Sequence, residues 1–130
     1  MQFQTLMPDG FQNRNFLLVL WDGGGNVAPQ LTIARRLIQR GHVVRILAPR
    51  VLEQRITASG CTFVPYCHTP EHDSSSPEHD LLRDWEPRTP LGAAARARDR
   101  VMAGTALTIA RDVIAALEEQ PADVILADYL

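Results

Sequence analysis

FLLVLWDGGGNVAPQL, residues Phe16–Leu31, joins a continuous apolar run to three consecutive glycines and then to the start of an amphipathic stretch. The run Phe16 to Trp21 has no polar alternation, as a strand buried on both faces requires. From Pro29 to Arg40 the apolar residues Leu31, Ile33, Ala34, Leu37 and Ile38 recur at helical spacing, with Arg35, Arg36, Gln39 and Arg40 on the opposite side. Pro29 suits a first turn, where its missing N–H costs nothing. Gly41 is placed to end the helix, and the arginines before it are favoured by the helix dipole. Val43 to Ala48 then reads as a second strand. The stretch therefore predicts a β-α-β unit with the glycines at its first turn.

The same alternation continues outward. Val51 to Ser59 reads as a second helix ended by Gly60, and Cys61 to Val64 as a third strand. Leu91 to Glu119 is mostly helical in pattern, with Met102, Leu107, Ile109, Ala110, Val113, Ile114 and Leu117 on its apolar face. Gly104 weakens that helix near its middle. Val124 to Ala127 is the next strand. Strands alternating with helices predict an α/β fold, a Rossmann-like, doubly wound parallel sheet. Residues 1–15 read as a polar leader and 16–130 as one domain. Because the chain stops just after a core strand, the expectation is a domain incomplete at its C-terminal end, part of a larger protein.

Composition narrows the function. A chain of 130 residues with 45% hydrophobic content can bury a core. A net charge of −2 gives no electrostatic case for nucleic acid or an anionic membrane. All 13 basic residues are arginine, which excludes a Schiff-base lysine and a Walker-type phosphate loop. No stretch is long and apolar enough to span a membrane, and no signal peptide is recognisable. Cys61 and Cys67 make no disulfide framework, so a reduced, cytoplasmic setting is expected.

Ligands of such sheets bind beyond the carboxyl ends of the strands. Gly24 and Gly25 are therefore candidate positions where backbone approaches a ligand, beside the free N–H groups of the helix that follows. Gly23 to Ala28 fits the dinucleotide fingerprint G-x-G-x-x-G/A. The second strand ends Ala48-Pro49-Arg50, without the carboxylate that would hold an NAD ribose, though Arg50 would suit the 2′-phosphate of NADP. An NADP-binding module of an oxidoreductase is one alternative. Another is that the glycines serve only close helix–sheet packing.

The residues Gly25-Asn26-Val27-Ala28-Pro29-Gln30-Leu31, then Ile33-Ala34, Leu37 and Gly41-His42-Val43-Val44, resemble the N-terminal domain of GT-B glycosyltransferases of the natural-product and antibiotic type. Ala58 to Pro65 resembles the family's next helix-to-strand turn, and Asp123 to Asp128 its strand ending in aspartate. The resemblance runs from Phe16 to Leu130, with the Tyr66–Pro90 loop unmatched. It implies transfer of a sugar, with inversion, from a nucleotide sugar to a small lipophilic acceptor. The nucleotide sugar is a substrate held mainly by a C-terminal domain beyond this chain, so no resident cofactor is expected and the chain alone should be inactive. A catalytic histidine, steadied by a later aspartate, is the family pattern.

Here the base position is Asn26 and its partner Asp128. Asparagine cannot accept the proton of an attacking hydroxyl. Three readings follow. Asp22 or Asp128 serves as base; the acceptor is acidic enough to need little help; or the protein is a homologue that binds an acceptor without transferring sugar. Asp22 has an equally good role as a cap of the turn amides. His42 lies at the far end of the second strand and reads as a packing histidine. The loop repeats Pro-Glu-His-Asp at 70–73 and 77–80. The spacings of Cys67, His68, His72, His79, Asp73 and Asp80 match no compact zinc pattern, so no metal is expected. Tyr66 and Trp85 are the expected acceptor-binding aromatics. Partners are thus a small acceptor and a nucleotide sugar, with no nucleic acid and no membrane span. The apolar edge is expected to drive self-association.

Overall fold

The computed structural model describes residues 12–73 and 75–128. Most of the leader and the last two residues, including Leu130, lie outside the described residues. The elements are β1 (Asn15–Val19), α1 (Val27–Gln39), β2 (Val43–Ala48), α2 (Glu53–Ala58), β3 (Thr62–Pro65), α3 (Pro90–Ala97), α4 (Ala106–Glu119) and β4 (Val124–Ala127). A short 3-10 turn, Arg50–Leu52, leads into α2.

The four strands form one parallel sheet in the order β3-β2-β1-β4. Leu18 of β1 stands opposite Ile46 of β2 and Leu126 of β4, which fixes the register. Side chains alternate between the two faces of a strand, so one continuous apolar run can serve two cores. Leu18, Leu20, Val44, Ile46 and Ala48 meet Val27, Leu31 and Ala34 of α1 and Leu52 and Ile56 near α2. Leu17, Val19 and Leu47 face the other way and meet Ala116, Val113 and Leu117 of α4. Each fully buried leucine or isoleucine stabilises the fold by roughly 1.5–3 kcal/mol relative to exposure. The doubly wound, Rossmann-like architecture is thus present, with helices covering both faces.

Two features depart from the sequence reading. The segment 91–119 is not one helix: α3 gives way to a wide, π-type turn over Arg98–Met102, and α4 starts only at Ala106. At Gly104 a Cβ would overlap the Asp99 carbonyl oxygen, so only glycine lets the chain double back there. The second departure is Arg45, which lies buried within β2 in phase with Leu47. Its guanidinium donates to the carbonyls of Ala116 (3.1 Å) and Gln120 at the end of α4. The Ala116 carbonyl also accepts the Gln120 N–H (3.1 Å), and the buried cation adds a second donor there while meeting the negative end of the dipole.

The loop after β3 is tied to α4 by Asp112, which is 3% exposed. Its carboxylate accepts the backbone N–H groups of Cys67 (3.0 Å), His68 (2.8 Å) and Thr69 (2.8 Å), and the Thr69 hydroxyl (2.7 Å). The His68 ring reaches the same carboxylate. Burial raises the Asp112 pKa, but the hydrogen bonds from Thr69, His68 and Cys67 outweigh it and hold the carboxyl at about 2.

Candidate active site

In this sheet the chain passes from β1 to β2 and β3 on one side, then returns to β4 on the other. The point of reversal, between β1 and β4, opens a crevice at their carboxyl ends. Trp21 to Asn26 follow β1 there, and Asp128 follows β4, its N–H donating to the Val19 carbonyl at 3.1 Å. Sequence neighbours of two strands more than a hundred residues apart are thereby brought side by side.

Asn26 sits just before α1 and makes four contacts. Its amide Nδ2 donates to the Trp21 carbonyl (3.0 Å) and to Asp128 Oδ2, and its Oδ1 accepts the Gly23 N–H (3.0 Å). The α1 backbone also begins from it, Gln30 N–H donating to its carbonyl. Gln30 reaches the other oxygen of Asp128 at 3.4 Å. The Asn26–Asp128 pair expected from sequence is therefore in contact. The direction of the bond is set: the amide can only donate to a carboxylate. Asn26 holds Asp128 in place, and neither it nor Gln30 can take a proton from a substrate.

Asp22 lies in the same turn with a different task. Its Oδ1 accepts the Gly24 N–H at 3.2 Å, the short-range capping contact of a turn aspartate. Gly24 has φ +81°, a left-handed conformation that favours glycine. At Gly23 a Cβ would press on the Trp21 indole, 2.7 Å from its ring. Gly25 has open space around it. The glycines thus accommodate the turn and the indole. They do not serve helix–sheet packing.

Beside Asp128 lies a cavity of about 140 Å³ bordered by Trp21, Tyr66, His72, Leu81, Ile109 and Asp128. Tyr66 is buried, and its hydroxyl donates to the Leu20 carbonyl at 2.7 Å, so it offers the cavity its ring. Burial, and then the nearby Asp112 and Asp128 carboxylates, push its pKa well above the usual tyrosine value. Trp85, expected beside it, is 56% exposed and does not border the cavity. Trp21 takes that place, with its ring stacked on His72 at 5.7 Å between centroids. Its position directly after β1 was the available signal.

Among the described residues no three His, Cys, Asp or Glu side chains gather as a metal-ligand set. His79 faces Ser76, Cys67 is exposed, and His68 serves Asp112. His42 accepts the Arg14 N–H and packs on Phe16, at the opposite end of the sheet from the cavity. Arg50, the candidate 2′-phosphate ligand, is engaged by Glu71, which accepts its backbone N–H at 2.9 Å. A carboxylate beside that guanidinium would repel a phosphate.

Neither the family models nor the curated proteins contain a match to this chain. Solved structures do. The chain superposes on CalG4, the calicheamicin glycosyltransferase, with a TM-score of 0.68 at 21% identity, over 90% of its own length and 27% of that chain. The glycosyltransferase of kitacinnamycin gives a TM-score of 0.63 at 22% identity, covering 90% of this chain and 25% of the other. SsfS6, a glycosyltransferase of Streptomyces sp. SF2575, gives 0.63 at 24% identity, covering 88% and 33%. The chain thus has a fold found in natural-product glycosyltransferases and spans about a quarter to a third of their length.

Proposed function

We propose that this chain is the acceptor-binding part of a glycosyltransferase that moves a sugar, with inversion, from a nucleotide sugar to a small, ring-containing acceptor. The observation that carries the reading is the placement of Asp128, held by Asn26 and Gln30, on the wall of an apolar cavity at the switch point of the sheet. Asp128 rather than Asp22 is the proton acceptor, because Asp22 caps the turn and does not border the cavity. In the reaction the acceptor hydroxyl gives its proton to Asp128 as its oxygen bonds to the anomeric carbon. The bond from that carbon to the donor phosphate breaks, and the nucleoside diphosphate leaves with the electron pair. An aspartate is a weaker base than an imidazole, so the site suits a hydroxyl that is itself acidic. A phenol meets that need better than an aliphatic alcohol.

The test is a transfer assay on the whole protein that carries this chain, with a panel of nucleotide sugars against phenols and aliphatic alcohols, read by mass spectrometry. Glycosylated phenols are the expected product. Binding of phenols without transfer from any donor would instead establish a domain that binds and does not catalyse.

Self-association is a second expected property. Among the described residues β4 is an edge strand, and Ile125 and Leu126 on it are exposed, as are Leu107 and Ile114 of α4. Open apolar edges pair with other chains. The sedimentation coefficient of the purified chain should rise with concentration, and Leu126→Lys should suppress the rise. A wild-type chain that stays monomeric at high concentration contradicts the expectation.

A further inference from the structure

The two copies of the duplicated Pro-Glu-His-Asp segment close on each other at the cavity. His72 of the first copy is 4% exposed and lines the cavity. Asp80 of the second copy lies 3.8 Å from His72 Nδ1, and the next residue, Leu81, donates its N–H to the same nitrogen at 3.2 Å. At first sight this is a histidine–aspartate pair that could replace the missing base. The hydrogen bonding says otherwise. In the neutral ring, Nδ1 accepts from Leu81, so the proton resides on Nε2. That nitrogen has no hydrogen-bond partner among the described residues. A protonated nitrogen cannot act as base; it can donate.

We propose that His72 is the specificity-determining donor of the acceptor cavity, and that the ligand class is a hydroxyaryl carbonyl compound. This rests on the acceptor-binding reading above and names the substrate class for that site. The ligand hydroxyl donates to Asp128, its carbonyl oxygen accepts from His72 Nε2–H, and its ring lies against Trp21, Tyr66 and Leu81. The size agrees: about 140 Å³ is close to a cavity that accepts a single benzene ring, roughly 150 Å³. One aromatic ring enters and any larger skeleton extends outside. The stacking on Trp21 and the paired loop copies hold the imidazole so that its donor is in place before the ligand arrives.

The experiment is a calorimetric titration of the chain, with no sugar donor present, using ortho-, meta- and para-hydroxyacetophenone, phenol and acetophenone. The best hydroxyacetophenone isomer should bind roughly fivefold tighter than phenol or acetophenone, the value of one net hydrogen bond in each comparison. Two variants assign the donor. His72→Asn can keep the acceptor for Leu81 N–H but loses the donor at Nε2; His72→Gln places an amide N–H near the Nε2 position. The gain over phenol should vanish in His72→Asn and persist in His72→Gln, with thermal melts confirming that both fold. Equal binding of phenol and every hydroxyacetophenone, or an undiminished gain in folded His72→Asn, overturns the proposal. Sugar transfer to phenols without a carbonyl preference would defeat this inference alone. Carbonyl-selective binding in a protein that transfers nothing would defeat only the glycosyltransferase reading.

Discussion

Asp128→Asn should lower the turnover of sugar transfer by the whole protein about 10²–10⁴-fold, the range for loss of a positioned general base. The substitution keeps size and shape but replaces the carboxylate with an amide, which is too weakly basic to take the proton. It also turns the contact with Asn26, an amide donor facing a carboxylate, into one between two amides, which either can reorient to satisfy. The fold should therefore survive, and KM should change far less than kcat. A series of phenols of rising acidity separates catalysis from mere positioning. Para-nitrophenol needs little help in losing its proton, so the variant should transfer to it nearly as well as the wild type. A uniform loss across the series would assign Asp128 a structural role. The companion substitution, Asn26→His, installs an imidazole next to Asp128 and should raise transfer to aliphatic alcohols, which the native pair serves poorly.

The second large effect concerns stability. Asp112→Ala removes the shared acceptor of three backbone N–H groups and a hydroxyl, and leaves them in a half-buried loop. We expect a loss of about 3 kcal/mol, or about 10 °C in melting temperature, since hydrogen bonds to a charged group contribute more than neutral ones. The loop carries Tyr66 and His72, so the cavity should be lost with it. Acid should produce part of the same effect. With the folded carboxyl at about 2 against an ordinary 3.8, the contribution is fully present above the higher value and disappears as pH falls through the lower one. At most about 2 kcal/mol should go between pH 4 and 2, by urea titration, and Asp112→Asn should flatten that part of the profile. A variant with the wild-type acid profile would contradict this assignment.

The sheet was legible because its rules are local. The apolar runs at 16–21 and 43–48 and the helical spacing over Pro29–Arg40 required strands and a helix, and the structure puts their ends within one or two residues of those limits. β4 matches residue for residue. The break at Gly104 was harder, since it depends on the approach of the Asp99 carbonyl across a turn with no sequence period. Arg45 looked like an interruption in an apolar strand. Its purpose lies in the last turn of α4, distant in sequence.

The candidate site was legible in part for the same reason. Asn26 and Asp128 follow directly from strand ends, and the topology brings strand ends together. The loop offers no such guide. Trp85 and Tyr66 look alike as aromatic residues of one polar segment, yet Tyr66 continues the line of β3 into the core while Trp85 stands in a turn among Arg83, Asp84 and Glu86. Nothing in the repeat itself tells which histidine turns inward. His72 does so because Asp80 and Leu81 meet it from the second copy.

The central claim is that the crevice between β1 and β4 receives an aromatic acceptor rather than a dinucleotide. The most direct measurement is a nitrogen-15 NMR titration of the chain with para-hydroxyacetophenone and, separately, with NADPH. The account predicts saturable shifts at Trp21, Tyr66, His72 and Asp128 with the aryl ligand, and none at micromolar NADPH. Micromolar binding of NADPH, with shifts centred on Gly23, Gly24 and Arg50, would contradict it.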